Sequence, residues 1–262
     1  KDCLADTGMD NKAMLKCRNM FAVGLVCWLF NRNLNAAEKF LREKFAKKPD
    51  VAEANIKVLH AGYDYGHNTH SSVNSTYRIE SHAKKPGRYM DISGNKATAY
   101  GLIAAAEKAG LRLFLGSYPI TPATDVLHEL SKHKSLGVTT MQCEDEISGC
   151  ASAVGAAFAG ALAATSTSGP GICLKSEAMN LAVMTELPLV VLDVQRGGPS
   201  TGLPTKSEQT DLLQVLFGRN GESPMPVIAA TSPTNCFDAA YNAAKIALEH
   251  MTPVVLLTDA FV

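Results

Sequence analysis

Four short polar segments each follow an apolar run that has the length of a β-strand. They are YPITP at 118–122, CEDE at 143–146, TSGPG at 167–171 and QRGGPSTG at 195–202. Hydroxyl, carboxylate and guanidinium groups are concentrated in them, among glycines and prolines that shape and stiffen loops. Such groups bind small ligands and move protons. No Ser-His-Asp order, P-loop or GxGxxG pattern accompanies them, so we expect a bound cofactor to supply the chemistry.

Two of the segments have a structural interpretation as well as a functional one. The stiff loop at 118–122 can aim the Thr121 hydroxyl at a ligand, but Thr121 and Pro122 also suit the start of a helix. The acidic run at 144–146 opens a predicted helix, where each carboxylate complements the helix dipole by roughly 0.3–1 kcal/mol. The helix that follows is rich in Gly and Ala, which predicts close packing against it. A carboxylate buried there would be tuned for proton transfer.

The other two segments favour binding. The glycine turn at 167–171 lets a flat ring lie against backbone. Arg196 is the one cation of the segment at 195–202, and arginine suits bidentate binding of a carboxylate or a phosphate. A surface arginine is the alternative. Lys206 and Ser207, just beyond, are weaker candidates.

From about residue 89 the chain alternates between strand and helix patterns. We predict strands at 111–115, 138–142, 162–167, 187–194, 227–230 and 253–258. Helices are predicted at 96–109, 123–133, 147–160, 173–184, 205–217 and 233–249, the last capped by Ser232. This order predicts an α/β fold with a mostly parallel sheet and helices on both faces. The four polar segments then share the carboxyl edge of the sheet, where ligands bind.

The region before residue 89 has a different pattern. Residues 1–70 are predicted to be helical, with helices at 13–29, 35–45 and 51–61, and to be the tail of a neighbouring domain. The pattern dissolves from 62 to 86, so we place a linker at 71–88 and the main domain at 89–262. His60, His67 and His70 are interpreted as solvated linker histidines. The chain begins without Met and ends after an apolar run, which predicts a part of a longer polypeptide.

Composition excludes several classes of function. Twenty-five basic and twenty-five acidic residues cancel, which disfavours nucleic acid and anionic membranes as partners. The apolar run at 20–30 is too short to span a bilayer. Residues 147–165 are long enough, but they are mostly Ala, Gly and Ser, which favours a tightly packed helix of a soluble protein over a membrane span. Seven cysteines show no CxxC pair and no metal-ligand spacing with His, so no metal site is expected on this chain. Free thiols favour a reducing compartment, hence the cytoplasm.

The chain resembles the α subunits of the 2-oxoacid:ferredoxin oxidoreductases, and among them the 2-oxoglutarate type, in which a γ domain precedes the α part. The matching segments are YPITPAT (118–124), EDEISG (144–149), TSTSGPG (165–171), MTELPLVVLDVQRGGPSTGLPT (184–205) and PVIAATSPT (226–234). Residues 89–262 carry this resemblance, and residues 1–70 resemble the end of the γ domain. The TSGPG loop is shared with many thiamine-diphosphate enzymes, whereas QRGGPSTGLPT is specific.

The resemblance implies a domain that binds the pyrimidine of thiamine diphosphate. Glu146 would contact N1′ of the aminopyrimidine, with Glu144 as the alternative if the match slips by two residues. Thr121 would face the reacting 2-oxo group, and Arg196 would hold the substrate carboxylate. The implied cofactor-binding set is Tyr118, Pro119, Ile120, Glu146, Ser168, Gly169 and Pro170. The implied substrate-binding set is Thr121, Arg196, Ser200, Thr201 and Lys206.

The implied activity is oxidative decarboxylation of 2-oxoglutarate to succinyl-CoA, with coenzyme A as co-substrate and ferredoxin as electron acceptor. A partner β subunit would supply the diphosphate and Mg²⁺ site and a [4Fe–4S] cluster. Two alternatives stay open. One is the same chemistry on pyruvate or a branched-chain 2-oxoacid, and the other is a non-catalytic assembly module of the same fold.

Overall fold

The structure, a computed structural model, describes residues 2–69, 76–80 and 85–262. The chain divides into two compact units, residues 1–87 and 88–262. No helix among the described residues has the length and apolar character needed to cross a membrane. The linker predicted at 71–88 lies partly outside the described residues and stays a prediction.

The first unit is helical. Its helices are a short 3₁₀ helix at Asp2–Thr7, α1 (Asn11–Lys16), α2 (Arg18–Leu29), α3 (Asn35–Lys44) and α4 (Pro49–Thr69). Buried Leu34, Leu41, Ile56 and Leu59 form one of its two small apolar clusters. The single helix predicted at 13–29 is divided at Cys17, which ends α1 and precedes α2.

The helix predicted at 51–61 is longer than expected, because α4 continues through residues 62–69, where the helical sequence pattern dissolves. Its glycines allow close packing: a Cβ on Gly62 would overlap the backbone of Phe21, and one on Gly66 would lie 2.6 Å from the Trp28 ring. His60 and His67 therefore lie on a helix and not in a linker. Nε2 of His60 is 2.8 Å from Oε1 of Glu38, and His70 lies outside the described residues.

The second unit contains a six-stranded sheet, and all its strand pairs are parallel. The strands are β1 (Leu113–Ser117), β2 (Val138–Gln142), β3 (Leu162–Thr167), β4 (Leu189–Gln195), β5 (Val227–Ala229) and β6 (Pro253–Asp259), in the order β2-β1-β3-β4-β6-β5. The helices are α5 (Gly94–Ala109), α6 (Thr124–Leu130), α7 (Glu146–Phe158), α8 (Pro170–Met184), α9 (Leu212–Phe217) and α10 (Pro233–His250).

Alternate residues of the central strands face opposite sides of the sheet. Val190 and Leu192 pack in the core formed with α5, α6 and α10, whereas Leu189 and Val191 pack in the core formed with α7, α8 and α9. Both faces are thus covered, and the predicted parallel α/β sheet is confirmed. Ser232 caps α10 as predicted, since its side chain accepts a hydrogen bond from the backbone N–H of Asn235.

The helix predicted at 205–217 was wrong for its first half. Residues 207–211 run along the carboxyl edge of the sheet, and only Leu212–Phe217 is helical. Gln209 donates to the Asp259 carboxylate at 2.6 Å, and the backbone N–H of Asp211 donates to the Gln195 side chain at 3.0 Å. These bonds to the ends of β4 and β6 replace helical bonds. The segment therefore helps to build the edge where ligands bind.

Candidate functional site

The four polar segments lie at one edge of the sheet. They follow β1, β2, β3 and β4, which are neighbours in the order β2-β1-β3-β4 and run parallel. The backbone N–H of Cys143 also donates to the carbonyl of Ser117 at 2.7 Å, which joins the loops after β2 and β1. The fold therefore brings the four segments to one edge of the sheet, as predicted.

Tyr118, Thr167, Gly171 and Glu146 meet at this edge, in what we call the carboxylate cluster. The hydroxyls of Tyr118 and Thr167 are 2.9 Å apart. A Cβ on Gly171 would overlap both hydroxyls and would lie 2.9 Å from Cγ of Glu146. Burial raises the pKa of the Tyr118 hydroxyl well above its ordinary value. Gly171 thus leaves the space in which these polar groups come together.

The three acidic residues at the start of α7 have different surroundings. Asp145 is the N-cap, and its carboxylate accepts a hydrogen bond from the backbone N–H of Ser148 at 2.9 Å. The backbone and hydroxyl donors of Ser148 lower the pKa of Asp145. Glu144 is exposed, whereas Glu146 is half-buried and belongs to the carboxylate cluster. Of the three, Glu146 is the one directed at the sheet edge.

Arg196 joins two of the loops. Its side chain is buried at 5% exposure, with Nη1 donating to the Thr121 carbonyl and Nη2 to the Thr201 carbonyl, each at 2.6 Å. Within the described residues, Nε of Arg196 is buried without a hydrogen-bond partner. The guanidinium therefore holds the loops together and still has a free donor. The Thr121 side chain itself is exposed.

A cavity of about 620 Å³ opens beside Arg196. Its wall includes Gly169 and Pro170 from the turn after β3, and Ser200 and Thr201 from the loop after β4. The remaining lining residues are Cys173, Gly197, Gly198, Pro199, Glu208, Thr210, Asp211 and Gln214. The structure thus brings together Arg196, Ser200 and Thr201 of the predicted substrate set.

The other predicted residues have the following positions. Ile120 is half-buried, with its backbone N–H donating to the Thr124 hydroxyl at 2.9 Å, and Pro119 is exposed. The Ser168 hydroxyl is buried and, within the described residues, has no hydrogen-bond partner. Lys206 is exposed and is not among the residues that line the cavity.

Two buried charged groups near the site were missed from the sequence. Lys175 on α8 and Asp193 on β4 are both 0% exposed. Within the described residues, neither oxygen of Asp193 has a hydrogen-bond partner. Burial raises the pKa of Asp193 well above its usual range, and the neighbouring Asp211 carboxyl raises it further. The available signal was a charged residue within an otherwise apolar run, LPLVVLDV for Asp193.

The raised pKa of Asp193 predicts a pH dependence of stability. Below the pKa of an unfolded Asp, about 4, the carboxyl is neutral in both states and its burial costs least. As the pH rises toward the folded pKa, the unfolded chain ionises first, so the free energy of unfolding decreases. Asp193→Asn lacks the titrating carboxyl. Between pH 5 and pH 8, its free energy of unfolding should therefore decrease less than that of the wild type, by on the order of 1 kcal/mol.

Thermal unfolding at several pH values measures this difference. Asp238→Asn, which alters an exposed carboxylate on α10, is the control and should follow the wild-type curve. Equal pH dependence in the wild type and Asp193→Asn would contradict the prediction.

Two family models match the chain. The model described as pyruvate flavodoxin/ferredoxin oxidoreductase, thiamine diP-binding, covers residues 104–262. The model described as pyruvate ferredoxin/flavodoxin oxidoreductase covers residues 5–65.

Curated relatives are named as subunits of 2-oxoglutarate oxidoreductases or synthases. The chain is 58% identical over 252 residues to the 2-oxoglutarate oxidoreductase subunit KorA of Mycobacterium tuberculosis, covering 96% of this chain and 38% of that protein. It is 42% identical over 172 residues to the 2-oxoglutarate synthase subunit KorA of Methanothermobacter marburgensis, covering 65% of this chain and 44% of that protein. The chain therefore spans less than half the length of these two relatives.

A solved structure is also similar. It is the 2-oxoglutarate:ferredoxin oxidoreductase from Magnetococcus marinus with 2-oxoglutarate, coenzyme A and succinyl-CoA bound. The TM-score is 0.78 at 36% identity, over 95% of this chain and 43% of that one. Because the thiamine diP-binding model alone matches more than half of its residues, the chain belongs to the pyruvate flavodoxin/ferredoxin oxidoreductase family.

Proposed function

We propose that this chain forms the pyrimidine side of the thiamine-diphosphate site in a 2-oxoglutarate:ferredoxin oxidoreductase. The enzyme would convert 2-oxoglutarate and coenzyme A into succinyl-CoA and CO₂ and pass the electrons to ferredoxin. The observation that carries the proposal is the position of Glu146, half-buried beside Tyr118 and Gly171 at the carboxyl edge of a parallel sheet. The names of the relatives support 2-oxoglutarate as the substrate.

The domain assignment is part of this proposal. Residues 1–70 would be the end of a γ-type domain, 71–88 a linker and 89–262 the pyrimidine-binding domain. Separate family models over 5–65 and 104–262, and a boundary between compact units at 87/88, support this division.

The residues of this edge fit the aminopyrimidine ring of thiamine diphosphate. Gly169, at φ +25°, presents backbone without a side chain, and a Cβ there would meet nothing closer than 3.7 Å, so a flat ring can approach it closely. The buried Ser168 hydroxyl has no partner among the described residues and is available to a ligand. The set that would hold the ring is Tyr118, Pro119, Ile120, Glu146, Ser168, Gly169 and Pro170.

Thiamine diphosphate, when bound, supplies a nucleophilic carbon and an electron sink for 2-oxoacid decarboxylation. Glu146 would hold a proton against the ring nitrogen N1′ and exchange it there, which is general acid–base catalysis. The half-buried carboxyl of Glu146 suits this task better than the two neighbouring carboxyls. Glu144 is exposed, and Asp145 already serves as the N-cap of α7.

Arg196 would hold the carboxylate next to the 2-oxo group. A guanidinium has five N–H donors, of which the Thr121 and Thr201 carbonyls take two. The free Nε–H is one of those left for the substrate. Thr121 would face the 2-oxo group from the loop that Arg196 fixes, and Ser200 and Thr201 would complete the wall of the substrate site.

The remaining parts of the enzyme would come from partners. A β subunit would carry the diphosphate and Mg²⁺ site and a [4Fe–4S] cluster, and ferredoxin would accept the electrons. Among the described residues, no group of three or more His, Cys, Asp and Glu side chains could hold a metal ion. All seven cysteines are free thiols, which supports the cytoplasm as the compartment.

Replacing Glu146 tests the proposed function. In the full-length protein assembled with its partner subunit, Glu146→Gln should lower 2-oxoglutarate-dependent ferredoxin reduction at least about 100-fold, because the amide cannot exchange the proton. Glu144→Gln is the matched control and should keep wild-type turnover, since that side chain is exposed. Full turnover in folded Glu146→Gln would remove the mechanism, and inactivity of the assembled wild type would favour a non-catalytic assembly module.

Lys206 tests the choice of substrate. We propose that it pairs with the second carboxylate of 2-oxoglutarate from the turn after residues 195–202, where its backbone N–H donates to the carbonyl of Leu203 at 3.0 Å. Lys206→Gln should raise KM about 10-fold for 2-oxoglutarate but leave KM for pyruvate unchanged, because pyruvate lacks that carboxylate. Lys108→Gln, an exposed lysine on α5, is the control. An equal change on both substrates, or on neither, would remove Lys206 from the site.

A further inference from the structure

Lys175 is a buried ammonium that the proposed mechanism leaves unused. It lies on α8 and, among the described residues, is the bulkiest fully buried side chain. Its Nζ donates to the Thr165 hydroxyl at 2.9 Å and to the backbone carbonyl of Glu146 at 3.1 Å. It also lies 5.3 Å from the centre of the Tyr118 ring. The ammonium thus contacts β3, the first residue of α7 and the loop after β1.

Burying this charge is unfavourable, since an apolar side chain would fill such a core position at lower cost. Burial lowers the pKa of Lys175, and the nearby Cys150, Glu146, Cys143 and Asp145 act in the opposite direction. The two oxygens that accept its hydrogen bonds, a hydroxyl and a carbonyl, are uncharged. Its positive charge therefore acts on the surrounding acidic groups through a poorly screened interior.

Glu146 is the acidic group of most interest. Lys175 donates a hydrogen bond to the backbone carbonyl of Glu146. Gly171, four residues before Lys175 on the same helix, leaves room for the Glu146 side chain. One helix therefore supplies both the space for the Glu146 side chain and a buried cation that holds the Glu146 backbone.

We propose that Lys175 is a positioning residue for Glu146: it fixes the first turn of α7 to β3, and its charge favours the ionised form of the Glu146 carboxyl. The proposal rests on the function assigned to Glu146 above. In chemical terms, Glu146 would give its proton to N1′ of the aminopyrimidine: its O–H bond would break as an N–H bond forms, and the positive charge of Lys175 would stabilise the carboxylate left behind.

Other titratable groups face this pair. Burial raises the pKa of Cys150 on α7 to about 11 and that of Tyr118 well above its ordinary value, whereas Ser148 lowers that of Asp145. These three groups therefore do not titrate near neutral pH. The further groups are Cys143, at the end of β2, and Arg196, which acts on Tyr118 from the end of β4.

Lys175→Gln separates the charge from the hydrogen bonds, since a neutral amide still donates to Thr165 and to the carbonyl of Glu146. The assembled holoenzyme is titrated with pH, following near-ultraviolet circular dichroism of the bound aminopyrimidine and, in parallel, kcat/KM. The midpoint of the acid limb should move up by about 1 pH unit in both measurements, because an opposite charge near the carboxyl is lost. Lys175→Arg keeps the charge and should retain the wild-type midpoint.

Thr165→Val is the matched structural control. It removes one neutral acceptor of Lys175 but keeps the ammonium, so its midpoint should equal that of the wild type. If Lys175→Gln does not assemble, Lys175→Met, neutral and of similar length, carries the same test. An unchanged midpoint in the neutral variant, or an equal shift in Thr165→Val, would overturn the proposal.

The Glu146→Gln background separates this proposal from the proposed function. There, adding Lys175→Gln should leave the dichroism unchanged across the pH range, because the carboxyl it acts on is gone. If Glu146→Gln alone keeps full turnover, the proposed function fails. If Glu146→Gln is inactive but the midpoint in Lys175→Gln does not move, only the role of Lys175 fails.

Discussion

A side chain at position 171 would occupy the space in which three polar groups meet. Because Gly171 has none, the hydroxyls of Tyr118 and Thr167 approach the first turn of α8, and the Glu146 side chain lies against it. These groups come from the ends of β1, β2 and β3, which the parallel sheet brings to one edge. The sheet thus brings these polar groups to one edge, and Gly171 allows them to approach one another closely.

Charges are concentrated behind this edge. Lys175 and Arg196 each hold backbone carbonyls, of Glu146 in one case and of Thr121 and Thr201 in the other. Asp193 lies buried next to Asp211, with its pKa raised by burial. Buried charges of this kind cost stability, and they are typical of sites where fixed groups must act on a ligand. The buried charged groups therefore favour a ligand-binding role for this edge of the sheet over a purely structural role.

The sheet was predictable because six apolar runs alternate with helical patterns, and the polar segments between them fall at strand ends. Other features depend on contacts between distant residues. The extended path of residues 207–211 depends on bonds from Gln209 and Asp211 to Asp259 and Gln195. The end of α4 depends on close packing at Gly62 and Gly66, which in sequence resemble turn residues.

On the proposed function, Glu146 is the carboxylate that serves the cofactor. The most direct test is an experimental structure of the full-length protein assembled with its partner subunit and with thiamine diphosphate bound. We expect a Glu146 carboxylate oxygen at hydrogen-bonding distance, about 2.6–3.2 Å, from N1′ of the aminopyrimidine. Glu144 in that position, or a pyrimidine ring bound away from Gly169, would contradict this role of Glu146.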